Sequence, residues 1–139
     1  MNDKLYSQEE RLMAALSHGS IIVSGMGIIV AAVVWLTQKD KFPYAARQAM
    51  QATIYQVVTM AVTIVAWIGW TVLFMILLVP LTNSAPAGSE PPPGFWALMF
   101  SMFIPFAIMG LFWIYGIWAA LRTWQGRDFN YPLIGRLAR

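Results

Sequence analysis

The chain has no cysteine, a single histidine, and only nine Lys and Arg and six Asp and Glu in 139 residues. Without cysteine there can be no disulfides, thiolate metal sites, iron–sulfur clusters or lipidated Cys. Charged residues make up 11% of the chain, whereas a soluble domain carries about 25%. That is too little charge to hydrate a surface of this size. The scarcity is also patterned, because residues 12–38, 48–89 and 91–121 contain no Asp, Glu, Lys or Arg. About 20 apolar residues, rising 1.5 Å each, cross a 30 Å hydrocarbon layer. Three such runs exclude a soluble enzyme, a nucleic-acid-binding domain and a disulfide-stapled secreted module. The expectation is an all-α integral membrane protein, one membrane domain over 1–139, with three transmembrane helices and a short N-terminal amphipathic helix.

The positions of the cations set an expected topology. Lys39, Lys41 and Arg47 lie between the first and second apolar runs, and Arg122, Arg127, Arg136 and Arg139 follow the third. Lys and Arg near spans stay on the cytoplasmic side. The 38–47 loop and the 122–139 tail therefore face the cytoplasm, where anionic headgroups, and not nucleic acid, account for their charge. The loop over 81–94 has one acid, Glu90, no base, and a Pro/Gly-rich composition, which suits an external loop. The expected location is the bacterial cytoplasmic (inner) membrane, multi-pass.

Along the chain, Ser7-Gln8-Glu9-Glu10 fits a capping box and opens an interfacial helix over 8–18. Spans are expected at 20–37, 54–79 and 95–121. Residues 12–38 are too few for two full spans, so they form one span with an interfacial preamble or a short re-entrant pair bent near Gly25-Met26-Gly27. Three crossings with a cytoplasmic C-terminus put the N-terminus outside; a re-entrant first segment puts it inside. Three crossings is the preferred expectation. The second helix begins at Pro43, a suitable first helical position, and runs to Pro80. Pro105 should kink the third, because it cannot donate to the Ser101 carbonyl.

The main polar pattern is a stripe of Gln48, Gln51, Tyr55, Thr59 and Thr63, at spacings of three and four residues, with Gln56 on its flank. Such groups in lipid need partners, so the stripe is either interhelical glue or a polar groove. Small residues recur at helical spacing: Ala15, Gly19, Gly27 and Ala31, then Ser20 and Ser24, then Gly116 and Ala120. Small residues at this spacing permit close helix approach, within one chain or between chains. His18, Trp67 and Trp70 are candidate contacts for a pigment or quinone. One histidine without a second ligand makes a poor metal site, and Trp67 and Trp70 fall mid-span, where an indole N–H needs an acceptor; Thr63 and Thr71 are each one turn from Trp67. All six carboxylates lie in tails and loops, and no G-x-S-x-G, H-E-x-x-H or phosphate-cradling glycine loop occurs. No catalytic set, metal or cofactor is expected, and the chain is not read as an enzyme.

Several local patterns together carry a family resemblance. They are Leu16-Ser17-His18-Gly19, Val34-Trp35-Leu36-Thr37-Gln38-Lys39-Asp40-Lys41, Pro43-Tyr44 followed by Gln48-Ala49-Met50-Gln51-Ala52 and Gln56, and a tail of Gly126 with Tyr131-Pro132-Leu133-Ile134-Gly135-Arg136. The chain resembles a widespread bacterial family of small uncharacterised multi-pass membrane proteins. That family is distantly similar to the twenty-kilodalton channel subunit of the chloroplast inner-envelope (Tic) import translocon. The resembled family commonly has His-Ala-x-Gln-Ala at the start of the second helix, where this chain has Gln48. The resemblance implies an all-helical plasma-membrane protein and no particular reaction.

The functional expectation is an accessory, assembly or scaffolding subunit that acts by helix–helix association. Its partners are the lipid bilayer and either other membrane proteins or further copies of itself, with no nucleic acid. The alternatives are an oligomeric Tic-like translocation or insertion channel with the Gln/Thr stripe facing inward, and a pigment- or quinone-binding subunit.

Overall fold

The computed structural model describes residues 6–23, 25–83, 86 and 88–132. Every regular element among them is helical: α1 (Gln8–Gly19), a 3₁₀ turn (Ser20–Val23), α2 (Met26–Gln38), α3 (Pro43–Asn83), α4 (Pro93–Phe100) and α5 (Phe103–Trp124). The start of α1 closes the capping box: Ser7 Oγ accepts from the Glu10 amide at 3.2 Å, and Glu10 Oε2 accepts from the Ser7 amide at 3.0 Å. Ser24 and the tail residues Leu133, Ile134, Gly135, Arg136 and Arg139 lie outside the described residues, as do parts of the 81–94 loop.

The expected span over 20–37 does not form as one helix, and three spans become two. The chain leaves α1 through the 3₁₀ turn, and Gly25 at φ 71° then redirects it into α2. A positive φ of this kind is open mainly to glycine. α2 packs back on α1 and on the turn. With 12 and 13 residues, α1 and α2 are each about 20 Å long, short of the roughly 30 Å hydrocarbon layer. The bend is sealed by Gly27, where a Cβ would overlap the Ser20 carbonyl, and by Ser20 Oγ, which donates to the Ser17 and Gly27 carbonyls at 2.8 and 3.0 Å. Residues 12–38 thus form a short bent pair and not a single straight helix.

Among the described residues, two helices are long and apolar enough to span: α3, with 41 residues, and the α4–α5 run over Pro93–Trp124, with 32. None of the most apolar stretch of α3 is buried within the chain. α3 continues past Pro80 to Asn83, one turn further than expected. In that last turn Thr82 Oγ1 donates to the Leu78 and Val79 carbonyls, both at 3.1 Å. In the third apolar run the break falls before the proline. α4 ends at Phe100, the chain turns through Ser101 and Met102, and Pro105 sits in the first turn of α5. An N–H there would have no helical partner anyway, so the proline costs little.

The chain divides into two compact units. One comprises Met1–Met60 with Leu111–Arg139, and the other is Ala61–Gly110. The first has a core unlike that of a soluble domain. Its fully buried larger side chains include His18, Gln48, Gln51 and Thr123, while Ile29, Val30 and Leu121 are among its exposed apolar residues. Ala14, Ala31, Ala45, Ala49 and Ala119 are completely buried and let backbones approach closely. Polar groups pointing inward and aliphatic groups outward is what a lipid solvent requires. The second unit comprises the later part of α3, α4 and the first turns of α5. There Trp67 meets Trp70 and Phe106 edge-to-face, at 5.8 and 5.0 Å between ring centroids.

Candidate functional site

The first unit concentrates its polar side chains where the segment after α5 lies across α1 and the beginning of α3. α5 ends at Trp124, and Gly126 at φ 78°, a left-handed residue, turns the chain back. Residues 127–131 then descend along one stripe of α3. Tyr44 Oη donates to the Arg127 carbonyl at 3.1 Å, and Arg47 pairs with Asp128 at 2.7 Å. Gln48 Nε2 donates to the Phe129 carbonyl at 3.1 Å, and Gln51 Nε2 donates to Asn130 Oδ1 at 2.9 Å. Tyr55 then stacks on Tyr131, with ring centroids 4.1 Å apart and planes 10° from parallel. The helical spacing of α3 thus matches an extended pentapeptide nearly residue for residue.

His18 closes this clasp. It is 1% exposed, with Nε2 3.1 Å from Gln48 Oε1 and Nδ1 3.0 Å from Tyr131 Oη. Because the Gln48 amide nitrogen donates to Phe129, its oxygen must accept from His18. That assigns the proton to Nε2 and leaves Nδ1 to accept from the Tyr131 hydroxyl. The hydrogen bonds run in one direction, from Tyr131 to His18 to Gln48 to the Phe129 carbonyl. Burial pushes the His18 pKa down to about 4, against a smaller upward pull from Gln48. Burial likewise raises the Tyr131 hydroxyl, with Tyr55 and Tyr115 adding to the effect. Both groups are neutral at physiological pH.

The remaining stripe residues divide between the units. Gln56 Nε2 reaches the Ser17 carbonyl at 2.9 Å and Ser20 Oγ at 3.1 Å, which ties α3 to the re-entrant bend. Tyr55 Oη donates to the Phe112 carbonyl of α5 at 3.1 Å, and Thr59 bonds back to the Gln56 carbonyl at 3.2 Å. Thr63 belongs to the second unit and is half-buried. Gln51 Oε1 is buried and lacks a hydrogen-bond partner among the described residues.

Of the small residues, Gly19 faces Ala120: a Cβ on Gly19 would lie 3.7 Å from that of Ala120. Gly116 receives Ile21 so closely that an added Cβ would stand 2.8 Å from its side chain. Gly27 packs on Ser20 and Gln56, and Ala31 is fully buried. All of these contacts are within the chain. The three candidate ligand contacts are differently placed. Both ring nitrogens of His18 are engaged, and Trp70 Nε1 donates to Ser101 Oγ at 3.0 Å. His18 lies in the first unit, Trp67 and Trp70 in the second.

Sequence reasoning missed Phe129, Asn130, Ser17, Ser20 and Ser101 as partners, and found Tyr131 only through the family resemblance. A usable signal was present: a polar-aromatic Asp128-Phe129-Asn130-Tyr131 run directly after a helix-ending glycine. Among the described residues, no three His, Asp or Glu come together as a metal-ligating group. What the arrangement can do chemically is hold three segments in one geometry through neutral hydrogen bonds and an aromatic stack.

Comparison with curated proteins and with solved structures yields no match. A family model does match, over residues 9–138, which takes in both long apolar helices, the bent α1–α2 pair and the clasp. The chain is therefore a small membrane protein belonging to the MamF_MmsF family, the magnetosome magnetite crystal formation protein family.

Proposed function

We propose that this protein is an accessory or assembly component of the membrane that encloses a forming magnetite crystal, and that it acts by helix association without catalysing a reaction. The observation that carries this reading is the clasp. Gln48, Gln51, Tyr55 and Gln56, the side chains that could have lined a conduit, are spent on contacts inside the chain. That also weighs against a Tic-like channel, which needs those groups turned inward in an oligomer. A pigment or quinone role finds His18 already committed at both nitrogens.

The same contacts support a topology. Tyr6 stacks on Tyr44 at 3.7 Å, and the Arg11 guanidinium reaches the Trp124 carbonyl at 3.5 Å. The beginning of the chain therefore shares one end of the first unit with the 38–47 loop and the tail, both cytoplasmic by their cations. In this reading the chain crosses twice, both termini are cytoplasmic, and the loop over 81–94 faces the compartment interior. That loop carries Glu90 as its one charged residue, so it offers the mineral side very little carboxylate. The protein would then influence the crystal through the membrane and its partners more than by binding iron.

Extraction of the magnetite-containing membrane in mild detergent tests the reading. The expected result is co-migration with a stoichiometric set of membrane proteins, while the purified chain conducts no ions in planar bilayers. Migration as a lone protein, together with a conductance that Gln51→Leu abolishes, would replace it with the channel.

A further inference from the structure

A groove runs along the outside of the first unit where α1 meets α5. Ala15, Gly19 and Ile22 form one wall, and Ile117, Ala120, Leu121 and Trp124 the other. It encloses about 390 Å³, and its lining side chains are apolar. It exists because the facing residues Gly19 and Ala120 are small. From Ile117 to Trp124 it extends about 10 Å along the helix axis, the depth of the first few methylenes below a headgroup.

The cytoplasmic end of this groove is charged. Arg11 stands one helical turn before Ala15, on the same stripe as Ala15 and Gly19. Its stem passes over Gly126, where an added Cβ would meet Arg11 Cδ at 3.0 Å. Its guanidinium makes two long contacts, to the Ser7 carbonyl at 3.4 Å and the Trp124 carbonyl at 3.5 Å. The neighbouring Glu10 carboxylate is occupied with the Ser7 amide. The ion pair recorded among the described residues, Arg47 with Asp128, does not involve Arg11. A guanidinium has five N–H donors arranged to grip phosphate, and most of these remain available.

We propose that this groove is a binding site for an anionic phospholipid, with one acyl chain lying between α1 and α5 and the phosphate held by Arg11 beside Trp124. The inference rests on the bilayer-embedded, cytoplasmic-end reading above but not on the assembly role. The shape favours an acyl chain, because a helix with its side chains is about 10 Å across and too wide for a slot this shallow. Charge argues against a second copy as occupant. A two-fold pairing through this face would set one Arg11 beside the other at the same depth, and like charges so placed repel.

The test reconstitutes the full chain in phosphatidylcholine vesicles holding a minor fraction of phosphatidylglycerol. Electron spin resonance of spin-labelled versions of each lipid then reads the fraction held immobile by the protein. The wild type should retain phosphatidylglycerol about fivefold more strongly than phosphatidylcholine, as one cation near the surface provides. Arg11→Gln should abolish the preference, Arg11→Lys should keep most of it, and Lys39→Gln should leave it unchanged. Gly19→Leu, which fills the slot, should release both lipids. If Gly19→Leu fails to fold by circular dichroism, the two Arg11 variants carry the test alone. An unchanged preference in Arg11→Gln overturns the proposal, as does a dimer that Gly19→Leu dissociates without altering lipid retention. A chain that does not float with the vesicles refutes the bilayer reading itself, whereas one that floats but shows no preference refutes the lipid site alone.

Discussion

At the scale of single residues, the side chains that matter most are those whose polar atoms have no access to water. Gln48 uses both ends of its amide, accepting from His18 and donating to Phe129. Gln48→Leu leaves both partners buried and unpaired, at a cost of about 3 kcal/mol, measurable as a lower Tm in detergent. His18 makes a separate pH prediction. Its folded pKa lies near 4 while an exposed histidine titrates at 6.5, so below neutrality the unfolded chain binds the extra proton. Stability is full above about pH 7, falls as pH drops through 6.5 towards 4, and loses about 3 kcal/mol in all. Thermal unfolding followed by near-ultraviolet circular dichroism across that range should show the loss, and His18→Gln should flatten the profile. The stripe containing Gln48 was legible from spacing alone, because amides at helical intervals in an apolar run must find partners. Those partners were not legible, since backbone carbonyls of a distant tail leave no trace in composition.

At the scale of elements, glycines that look alike in sequence divide by what they touch. Gly27 sits where a Cβ would strike the Ser20 carbonyl, and Gly69 has nothing within 4 Å. Gly27→Ala should cost about 2 kcal/mol by forcing the bend open, whereas Gly69→Ala should be neutral or stabilise the long helix by up to about 1 kcal/mol. Urea or heat unfolding of the two variants side by side checks the contrast. The two long spans were readable as elements because charge-free runs of that length admit few other structures. The first segment was not, since 17 apolar residues look alike whether straight or folded back. The choice depended on Gly25 adopting a left-handed conformation, which glycine permits but does not require. Pro105 was legible as a break: the third run is interrupted at Ser101 and Met102, one turn before the proline that cannot donate to the Ser101 carbonyl, and the helix restarts at Phe103.

At the scale of the whole molecule, topology is the accessible quantity. With Tyr6 on Tyr44 and Arg11 at Trp124, a cysteine placed by Ser7→Cys belongs on the cytoplasmic face, and one placed by Ser89→Cys on the opposite face. In sealed membranes with the cytoplasmic side outward, an impermeant thiol reagent should label the first and spare the second. Labelling of Ser89→Cys with protection of Ser7→Cys would reverse the orientation, and labelling of neither would place both away from that face. The expected side of the 38–47 loop and the tail follows from their cations alone. The side of the N-terminus depended on the parity of crossings, and so on the single bend that the sequence left open.

The spacing between His18 and Tyr131, 113 positions along the chain, also orders events during synthesis. The histidine and the opening turns of α3 reach the lipid long before the tail that pairs with them has left the ribosome. Until residues 129–131 have been made, the imidazole and Gln48 have each other but lack the Tyr131 hydroxyl and the Phe129 carbonyl. The first unit can therefore close only after that segment has emerged, more than a hundred positions behind the histidine it meets.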